Sequence, residues 1–234
     1  MPRELEAKIK EIIQRTYNVK SFRLDVGGEL DFKAGQFLSV TLKTEQELKR
    51  YLSISSSPTE KGYIEFTKKL TQSDFSRVLD SLKPQDSVKV QYPFGKFTLD
   101  EASTKIAFLS GGIGITPIRS ICKYAVDKNM NTDIILIYSN SAFNDIAFRE
   151  DFGLMQKQDP KLKVIHVLYE GRAGFECKIG RINKEIIKEN IPDYLERKFY
   201  LCGPPGMVEA MKNILASELA VVSANIITEN FQGY

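Results

Sequence analysis

The first hundred residues alternate between apolar and polar positions over short segments, which is the two-residue period of β-strands. Five such segments are rich in β-branched and aromatic residues: Lys8–Ile13, Val19–Val26, Phe37–Leu42, Tyr63–Thr67 and Ser87–Val90. Glycine and proline turn signals separate them, and one amphipathic helix is predicted from Ser73 to Leu82. Because closure removes the open edges of so many short strands, this half is predicted to be an antiparallel β-barrel.

From about residue 102 the pattern changes to strands that alternate with helices. Continuous apolar runs predict strands near residues 105–109, 134–138, 163–168, 198–202 and 225–228. Helical spacing of apolar residues predicts helices near 117–127, 145–157, 182–189 and 207–219. The predicted fold class is therefore two-domain, with an N-terminal antiparallel β-barrel over residues 1–101 followed by an α/β parallel-sheet nucleotide-binding domain over residues 102–234.

Composition and charge then exclude several classes of protein. The 33 basic and 30 acidic side chains leave a net charge of +3, which does not favour nucleic-acid binding. The apolar runs are shorter than the ~18 residues of a membrane span, and the first residues lack the apolar core of a secretory signal, so we expect a cytoplasmic protein. Cys122, Cys177 and Cys202 are too far apart for a metal or iron–sulfur motif. His166, the single histidine, lies in a predicted buried strand and is interpreted as structural.

The glycine-rich segment Gly111–Pro117 lies between a predicted strand and a predicted helix, where a phosphate-binding turn is built. Pro117 is predicted to start the helix, and free N–H groups with the helix dipole attract a pyrophosphate. The match to a Rossmann fingerprint is incomplete, because Pro117 replaces the third glycine and no carboxylate follows the next strand near Ser139. A turn that merely connects the two elements is the alternative.

A second glycine-rich turn, Cys202–Met207, follows another predicted strand. Ligands bind open parallel sheets at the carboxyl ends of the strands, so both turns are expected to face one crevice. In the barrel half, Arg50–Pro58 combines an arginine with several hydroxyl groups. An arginine can bind a phosphate with two parallel hydrogen bonds, although a solvated strand end is the alternative interpretation.

Taken together, these segments resemble the ferredoxin–NADP reductase family along nearly the whole chain. The resemblance rests on Phe32–Phe37, Arg50–Ser53, Tyr92–Phe97, Gly111–Pro117, Tyr138 through Glu150, and Cys202–Met207. It implies a flavin-binding barrel, a pyridine-nucleotide domain, and the cofactors FAD and NADP or NAD. It also implies hydride transfer between NAD(P)H and FAD, with electrons passed to or from a separate acceptor such as ferredoxin or flavodoxin.

The resemblance implies roles for residues of the barrel half. Arg50 corresponds to the arginine that binds the flavin phosphate, and Ser53 to the hydroxyl near flavin N5. Ser76 corresponds to the serine whose helix N-terminus receives the pyrophosphate, with a simple helix cap as the alternative. Leu52 stands where the family usually has a tyrosine packed on the flavin. The cofactor-binding positions implied here are Arg50, Tyr51, Leu52, Ser53, Thr67, Lys68 and Ser76.

The resemblance also implies roles in the second half. Cys202 and Glu229 correspond to residues near the reacting rings, so Ser53, Cys202 and Glu229 are the expected catalytic residues. Phe231 corresponds to an aromatic that stacks over the flavin. A buried inert Cys202 and a Phe231 that merely packs on the sheet are the alternatives. The cofactor-binding positions implied here are Gly112, Gly114, Thr116, Pro117, Ser139, Cys202, Gly203, Pro204, Met207 and Phe231.

Two questions stay open at the level of sequence. Similar sequences serve as flavin reductase subunits of oxygenases or hydrogenase-like complexes, and the substitution at Leu52 favours a second hypothesis of a non-catalytic or assembly subunit. The choice between NADH and NADPH is also open. No arginine directly follows the second strand of the nucleotide-binding half. Arg172 and Arg181, in neighbouring loops, are candidates to contact a 2′-phosphate, whereas Glu170 would repel it.

Overall fold

In the computed structural model, which describes residues 2–28, 31–43 and 47–229, the first six strands form one antiparallel sheet. The strands are β1 (Arg3–Thr16), β2 (Val19–Asp25), β3 (Phe37–Lys43), β4 (Glu47–Ser53), β5 (Ile64–Lys69) and β6 (Ser87–Phe94). Their order is β4-β3-β6-β1-β2-β5. A bridge between Ile54 and Phe66 joins the two edges of the sheet. The sheet therefore closes as the predicted antiparallel barrel, called the barrel lobe below.

Side-chain alternation fills the inside of the barrel lobe with apolar residues. Phe22 and Phe66 are fully buried there and stack with their ring centroids 5.2 Å apart. Helix α1 (Asp74–Ser81) covers one end of the barrel through buried Phe75. Ser73 caps the helix by accepting a hydrogen bond from the N–H of Ser76, as the predicted helix start requires.

The second half forms a six-stranded parallel sheet with helices, as predicted, called the nucleotide lobe below. Its strands are β7 (Lys105–Gly111), β8 (Asp133–Asn140), β9 (Leu162–Leu168), β10 (Lys178–Ile179), β11 (Lys198–Cys202) and β12 (Ile226–Glu229). Its helices are α2 (Ile115–Asp127), α3 (Arg149–Gln158), α4 (Lys184–Asn190) and α5 (Pro205–Asn213). The strand order is β10-β9-β8-β7-β11-β12, so the order reverses between β7 and β11. The carboxyl ends of these two strands therefore border the crevice where such sheets bind ligands.

Several predicted boundaries are wrong. Helix α2 begins two residues before Pro117, which still lies in the first turn, where its missing N–H leaves no hydrogen bond unmade. Helix α3 begins at Arg149 rather than 145, because Phe148 has a left-handed backbone with φ +59°. Helix α5 ends at Asn213 and continues as one π-helical turn.

The two lobes pack directly against each other. Phe97 and Ala34, which come from the barrel half of the sequence, are buried in the core of the nucleotide lobe. A Cβ on Gly35 would lie 2.9 Å from the Cδ1 atom of Ile121 in α2, so the barrel-half backbone at Gly35 is in close contact with this helix. Among the described residues, no helix is long and apolar enough to cross a lipid bilayer.

Candidate functional site between the lobes

The three expected catalytic residues meet at the junction of the lobes. Ser53 ends β4 and pairs in register with Phe37. A Cβ on Gly95 would lie 2.7 Å from the Phe37 ring and 3.7 Å from Oε1 of Glu229, so the barrel lobe and β12 touch here. Glu229 in turn pairs with Cys202 on the neighbouring parallel strand. Strands from both lobes thus bring Ser53, Glu229 and Cys202 into one interlobe site.

Buried polar atoms in this site lack partners. Ser53 Oγ and Glu229 Oε2 have no hydrogen-bond partner among the described residues, and the same is true of Ser110 Oγ, whose residue pairs with Cys202. Only 8% of the Glu229 surface is exposed. An unsatisfied buried polar group costs about 1–3 kcal/mol, so a ligand that supplies the missing partners stabilises the site. These atoms fit the polar edges of flavin and nicotinamide rings.

The interlobe site carries little charge at neutral pH. Burial raises the pKa of the Glu229 carboxyl to about 8, so the protonated form predominates. Burial, and secondarily the charge of Glu229, raises the pKa of the Cys202 thiol well above its usual value. A protonated thiol is a poor nucleophile. Cys202 and Glu229 are therefore suited to positioning neutral rings rather than to covalent attack.

The raised pKa of Glu229 predicts a pH-dependent stability. The unfolded carboxyl ionises near 4.5, whereas the folded one stays protonated up to about pH 8. The folded state binds more protons in this interval, so the group lowers the free energy of unfolding as pH rises, by up to ~1.4 kcal/mol per pH unit. We expect Glu229→Gln to remove this component and to be more stable than the parent protein at about pH 8.

Urea unfolding between about pH 5 and pH 8 measures this effect, with the exposed Glu209→Gln as the control. The control is expected to follow the pH dependence of the parent protein. If the free energy of unfolding changed equally with pH in Glu229→Gln and in the parent protein, the carboxyl would be shown to ionise as an ordinary exposed group.

The barrel lobe carries a cationic site beside α1. Arg50 lies with its Cζ atom 5.7 Å from the Phe75 ring centroid, and burial together with the Arg50 charge lowers the pKa of Lys68. Both cations bond only to backbone carbonyls, those of Lys49 and Lys69, and neither pairs with a carboxylate within the described ranges. Two cations beside a helix N-terminus attract an anion, and the flavin pyrophosphate fits this site.

Other predicted flavin-site residues are placed as follows. The Thr67 hydroxyl is buried and hydrogen-bonded to Ser21 at 2.7 Å and Ser55 at 2.8 Å. The Ser76 hydroxyl lies 3.1 Å from both Thr71 Oγ1 and Ser73 Oγ in the first turn of α1. The side chains of Thr67 and Ser76 are thus held in hydrogen-bond networks of the barrel lobe.

Tyr51 and Leu52 lie on opposite faces of β4. Leu52 is half-buried and packs against the barrel core. Tyr51 is 52% exposed and makes edge contacts with Phe37 and Phe94, with ring centroids 5.8 and 6.0 Å away. None of the predicted strands includes this segment, yet all four residues Arg50–Ser53 belong to β4. Because successive side chains of β4 point to opposite faces, Tyr51 is exposed whereas Leu52 packs against the barrel core.

On the other side of the junction, a groove of about 230 Å³ runs along the carboxyl ends of the parallel strands. Among its lining residues are the predicted Gly112, Ser139, Pro204 and Met207. Gly114, Thr116 and Gly203 lie behind it: the Thr116 hydroxyl donates to the carbonyl of Ile113 at 3.0 Å, and a Cβ on Gly203 would meet the backbone of Gly111. Pro117 is buried in α2, and Phe231 lies outside the described residues.

Asn140 lines the same groove and was missed by the sequence-based prediction. Only 6% of its surface is exposed, and neither atom of its side-chain amide has a partner among the described residues. The available signal was an amide side chain directly after the apolar run of β8. Its free donor and acceptor make it a further candidate for binding the nucleotide.

The segments that follow β8 and β9 hold the residues that bear on the choice of coenzyme. Arg149 and Arg172 lie with their guanidinium carbons 4.1 and 3.9 Å from the Phe143 ring centroid. Arg181 lies over the Tyr169 ring instead, at 5.3 Å. Glu170 and Arg172 both line a cavity of about 400 Å³ beside Phe143. Attractive and repulsive groups for a 2′-phosphate are therefore present together.

Comparisons with known proteins agree with this arrangement. A family model described as an oxidoreductase FAD-binding domain matches residues 6–99, and one described as an oxidoreductase NAD-binding domain matches residues 108–213. NADH-cytochrome b5 reductase 1 of Aspergillus fumigatus is 30% identical over 227 residues, which cover 91% of this chain and 74% of that protein.

Two further relatives extend the comparison. The glycine betaine monooxygenase reductase subunit of Pseudomonas aeruginosa is 32% identical over 216 residues and 88% of this chain, which spans about 58% of the length of that relative. The cytochrome b5 reductase domain of Ulva prolifera nitrate reductase has the same fold, with a TM-score of 0.87, 20% identity and 97% of each chain covered. The chain therefore belongs to the ferredoxin–NADP reductase-like family of flavoprotein oxidoreductases, with FAD and NAD(P) as its cofactors.

Proposed function

We propose that this chain transfers a hydride between NAD(P)H and FAD and passes electrons to or from a separate acceptor. The observation that carries the proposal is the interlobe site, where Ser53 Oγ and Glu229 Oε2 have no partner among the described residues, together with the cationic site beside α1 and the groove at the strand ends. When bound, the two cofactors supply the redox chemistry: a two-electron exchange between nicotinamide and flavin, and single-electron steps between flavin and the acceptor. The task of the protein is to hold two rings in contact and keep water out.

Each residue of the site has its own role in this task. Arg50 and Lys68 bind the flavin pyrophosphate, and the Ser53 hydroxyl orients the polar edge of the flavin ring. The protonated Glu229 carboxyl offers a hydrogen-bond donor beside the rings. Cys202, which is fully buried behind the groove, limits how deeply the nicotinamide ring enters. None of these roles needs a strong acid or base, in agreement with a hydride transfer.

An aromatic cluster beside Ser53, in which Tyr51 is exposed and Phe37 and Phe94 are half-buried, supports the separate acceptor. The three rings contact one another, and Lys49 Nζ lies 5.4 Å from the Tyr51 ring centroid. Aromatic area with positive charge suits a partner with an acidic surface, and ferredoxin or flavodoxin is our proposed acceptor. The match to a monooxygenase reductase subunit favours a second candidate, a reductase subunit of an oxygenase-like complex. The three free cysteines fit the proposed cytoplasmic setting.

Anaerobic reduction tests the function. We expect the purified chain to bind FAD, and the flavin absorption to bleach on addition of NADH or NADPH, with kcat/KM for the two coenzymes giving the preference. Cys202→Ala is expected to slow bleaching roughly tenfold, because misplaced rings react slowly. Cys177→Ala, at a half-buried position outside the interlobe site, is the matched control. A colourless chain that FAD does not reconstitute would instead support the assembly-subunit hypothesis.

A further inference from the structure

Arg119 in α2 is a buried arginine that contacts both lobes. Only 4% of its surface is exposed. Its guanidinium donates to the carbonyl of Ser55 at 3.1 Å and to both carboxylate oxygens of Glu60, one of them at 3.0 Å. On the nucleotide lobe it donates to Oδ1 of Asp151 in α3 at 2.9 and 3.2 Å. One planar group therefore bonds the segment after β4 and helix α3 at the same time.

The next residue of α2 extends this contact. The Ser120 hydroxyl donates to the carbonyl of Ser56 at 2.6 Å, and both residues are fully buried. Two successive residues of one helix thus hold two successive residues of the barrel lobe. Asp151 also pairs with Arg15 of β1 at 3.3 Å, which ties α3 to the barrel at a second point.

These contacts lie very near the two cofactor sites. Ser55 is only two residues from Ser53, which ends β4 at the interlobe site. Arg119 is one turn, about 6 Å along the axis, from Ile115, where α2 begins directly after the nucleotide turn at Gly112–Gly114. A helix transmits a displacement along its length because its backbone hydrogen bonds are internal. A shift at Arg119 therefore moves the nucleotide turn relative to Ser53.

Geometry distinguishes this contact from ordinary interface packing. An apolar side chain would also bury area between the lobes, but it would leave them free to slide by a fraction of an ångström. The arginine fork accepts only one orientation of its partners, and here the partners lie on two separate segments: Ser55 and Glu60 after β4, and Asp151 in α3.

We propose that Arg119 is a positioning residue that sets the separation between the flavin site and the nicotinamide site. The proposal rests on the proposed function, since it concerns the geometry of that same reaction. It predicts that loss of the fork slows reduction of the flavin without preventing either cofactor from binding.

Arg119→Lys tests the proposal in the full-length protein loaded with FAD, because lysine keeps the charge and loses the fork. We expect an unchanged FAD content and a less than twofold change in the Kd of NAD(P)+. We expect at least a tenfold fall in the single-turnover rate of flavin reduction, with a weaker charge-transfer absorption between nucleotide and flavin. Lys128→Met, an exposed change at the end of the same helix, is the control and is expected to match the parent protein.

Amide hydrogen exchange at residues 54–57 gives a readout that does not depend on turnover. Exchange there is expected to be faster in Arg119→Lys than in the parent protein. Glu60→Gln, which keeps the arginine and the shape of its partner, is expected to show the same changes with smaller size, and it replaces Arg119→Lys as the test if that variant does not fold.

The proposal would be overturned if a folded Arg119→Lys protein, measured well below its melting temperature, kept the parental reduction rate and the parental charge-transfer absorption. Arg119 would then be a merely structural residue. For Glu60→Gln the same result has the same meaning. Failure of the proposed function is a different observation, namely a parent protein whose flavin neither NADH nor NADPH reduces.

Discussion

Arg50→Ala is expected to weaken FAD binding about 100-fold. The guanidinium lies beside the start of α1 and has no carboxylate partner within the described ranges, so its charge is available to a pyrophosphate. Charge-assisted hydrogen bonds contribute about 1.5–3 kcal/mol each, and a loss of ~3 kcal/mol corresponds to roughly a factor of 100 in Kd. Lys68 remains in the variant, which is why binding is weakened rather than abolished. Titration of the apoprotein with FAD, followed by flavin fluorescence, measures the Kd.

The matched control for this experiment is Arg77→Ala. Arg77 belongs to α1 itself, but it is exposed and pairs with Asp74 on the helix surface. Exposed pairs of this kind contribute little, so FAD binding and stability are expected to stay close to those of the parent protein. Equal losses of affinity in the two variants would mean that general positive charge, and not a site built around Arg50, attracts the flavin.

Gly114→Ala is expected to destabilise the chain by about 3 kcal/mol and to lower turnover with NAD(P)H more than tenfold. The backbone of Gly114 is ordinary, with φ −60°, so the conformation itself admits alanine. The added Cβ would lie 2.4 Å from the carbonyl oxygen of Cys202 and 2.6 Å from the Cα of Gly203. These are backbone atoms, which cannot rotate away, so β7 and β11 must separate at the proposed nucleotide site. The expected fall in melting temperature is roughly 6–12 °C.

Gly153→Ala is the matched control, since the same substitution is made at a helical glycine in α3. A Cβ there meets no heavy atom of the described residues within 4 Å. Alanine is favoured over glycine inside helices by about 1 kcal/mol, so the melting temperature is expected to rise by roughly 2–4 °C with turnover unchanged. A Gly114→Ala protein with the parental melting temperature and turnover would show that the two strand ends can spread without cost.

Local patterns predicted most of the fold, because strands and helices impose their periods on neighbouring residues. Segments such as Phe37–Leu42 and the run near 134–138 have one face or both in a core, and their apolar residues report this directly. Strand β4 was missed because Glu47–Arg50 is mostly polar at an edge of the sheet, where no periodic apolar face is required. The start of α3 was misplaced because the left-handed backbone at Phe148 depends on its packing and leaves no mark in the residue type.

What the sequence determined by itself is the order of the elements, the two glycine turns and the residue types of the cofactor sites. The family resemblance then assigned roles to Arg50, Ser53, Cys202 and Glu229, and these positions lie where strands end at the junction or face α1. Only the tertiary structure placed Gly95 against Glu229, since these residues are far apart in sequence and meet through the packing of two lobes.

Tertiary structure also decided which polar groups are free and which are used. Nothing in the sequence distinguishes the hydroxyl of Thr67, which is occupied in the barrel lobe, from that of Ser53, which has no partner among the described residues. Likewise, nothing in the sequence shows that the Asn140 amide has no partner among the described residues, or that Arg119 is bonded to both lobes. The physical reason is that satisfaction of a hydrogen bond depends on groups brought close by distant parts of the chain, whereas helix and strand periods depend on neighbours.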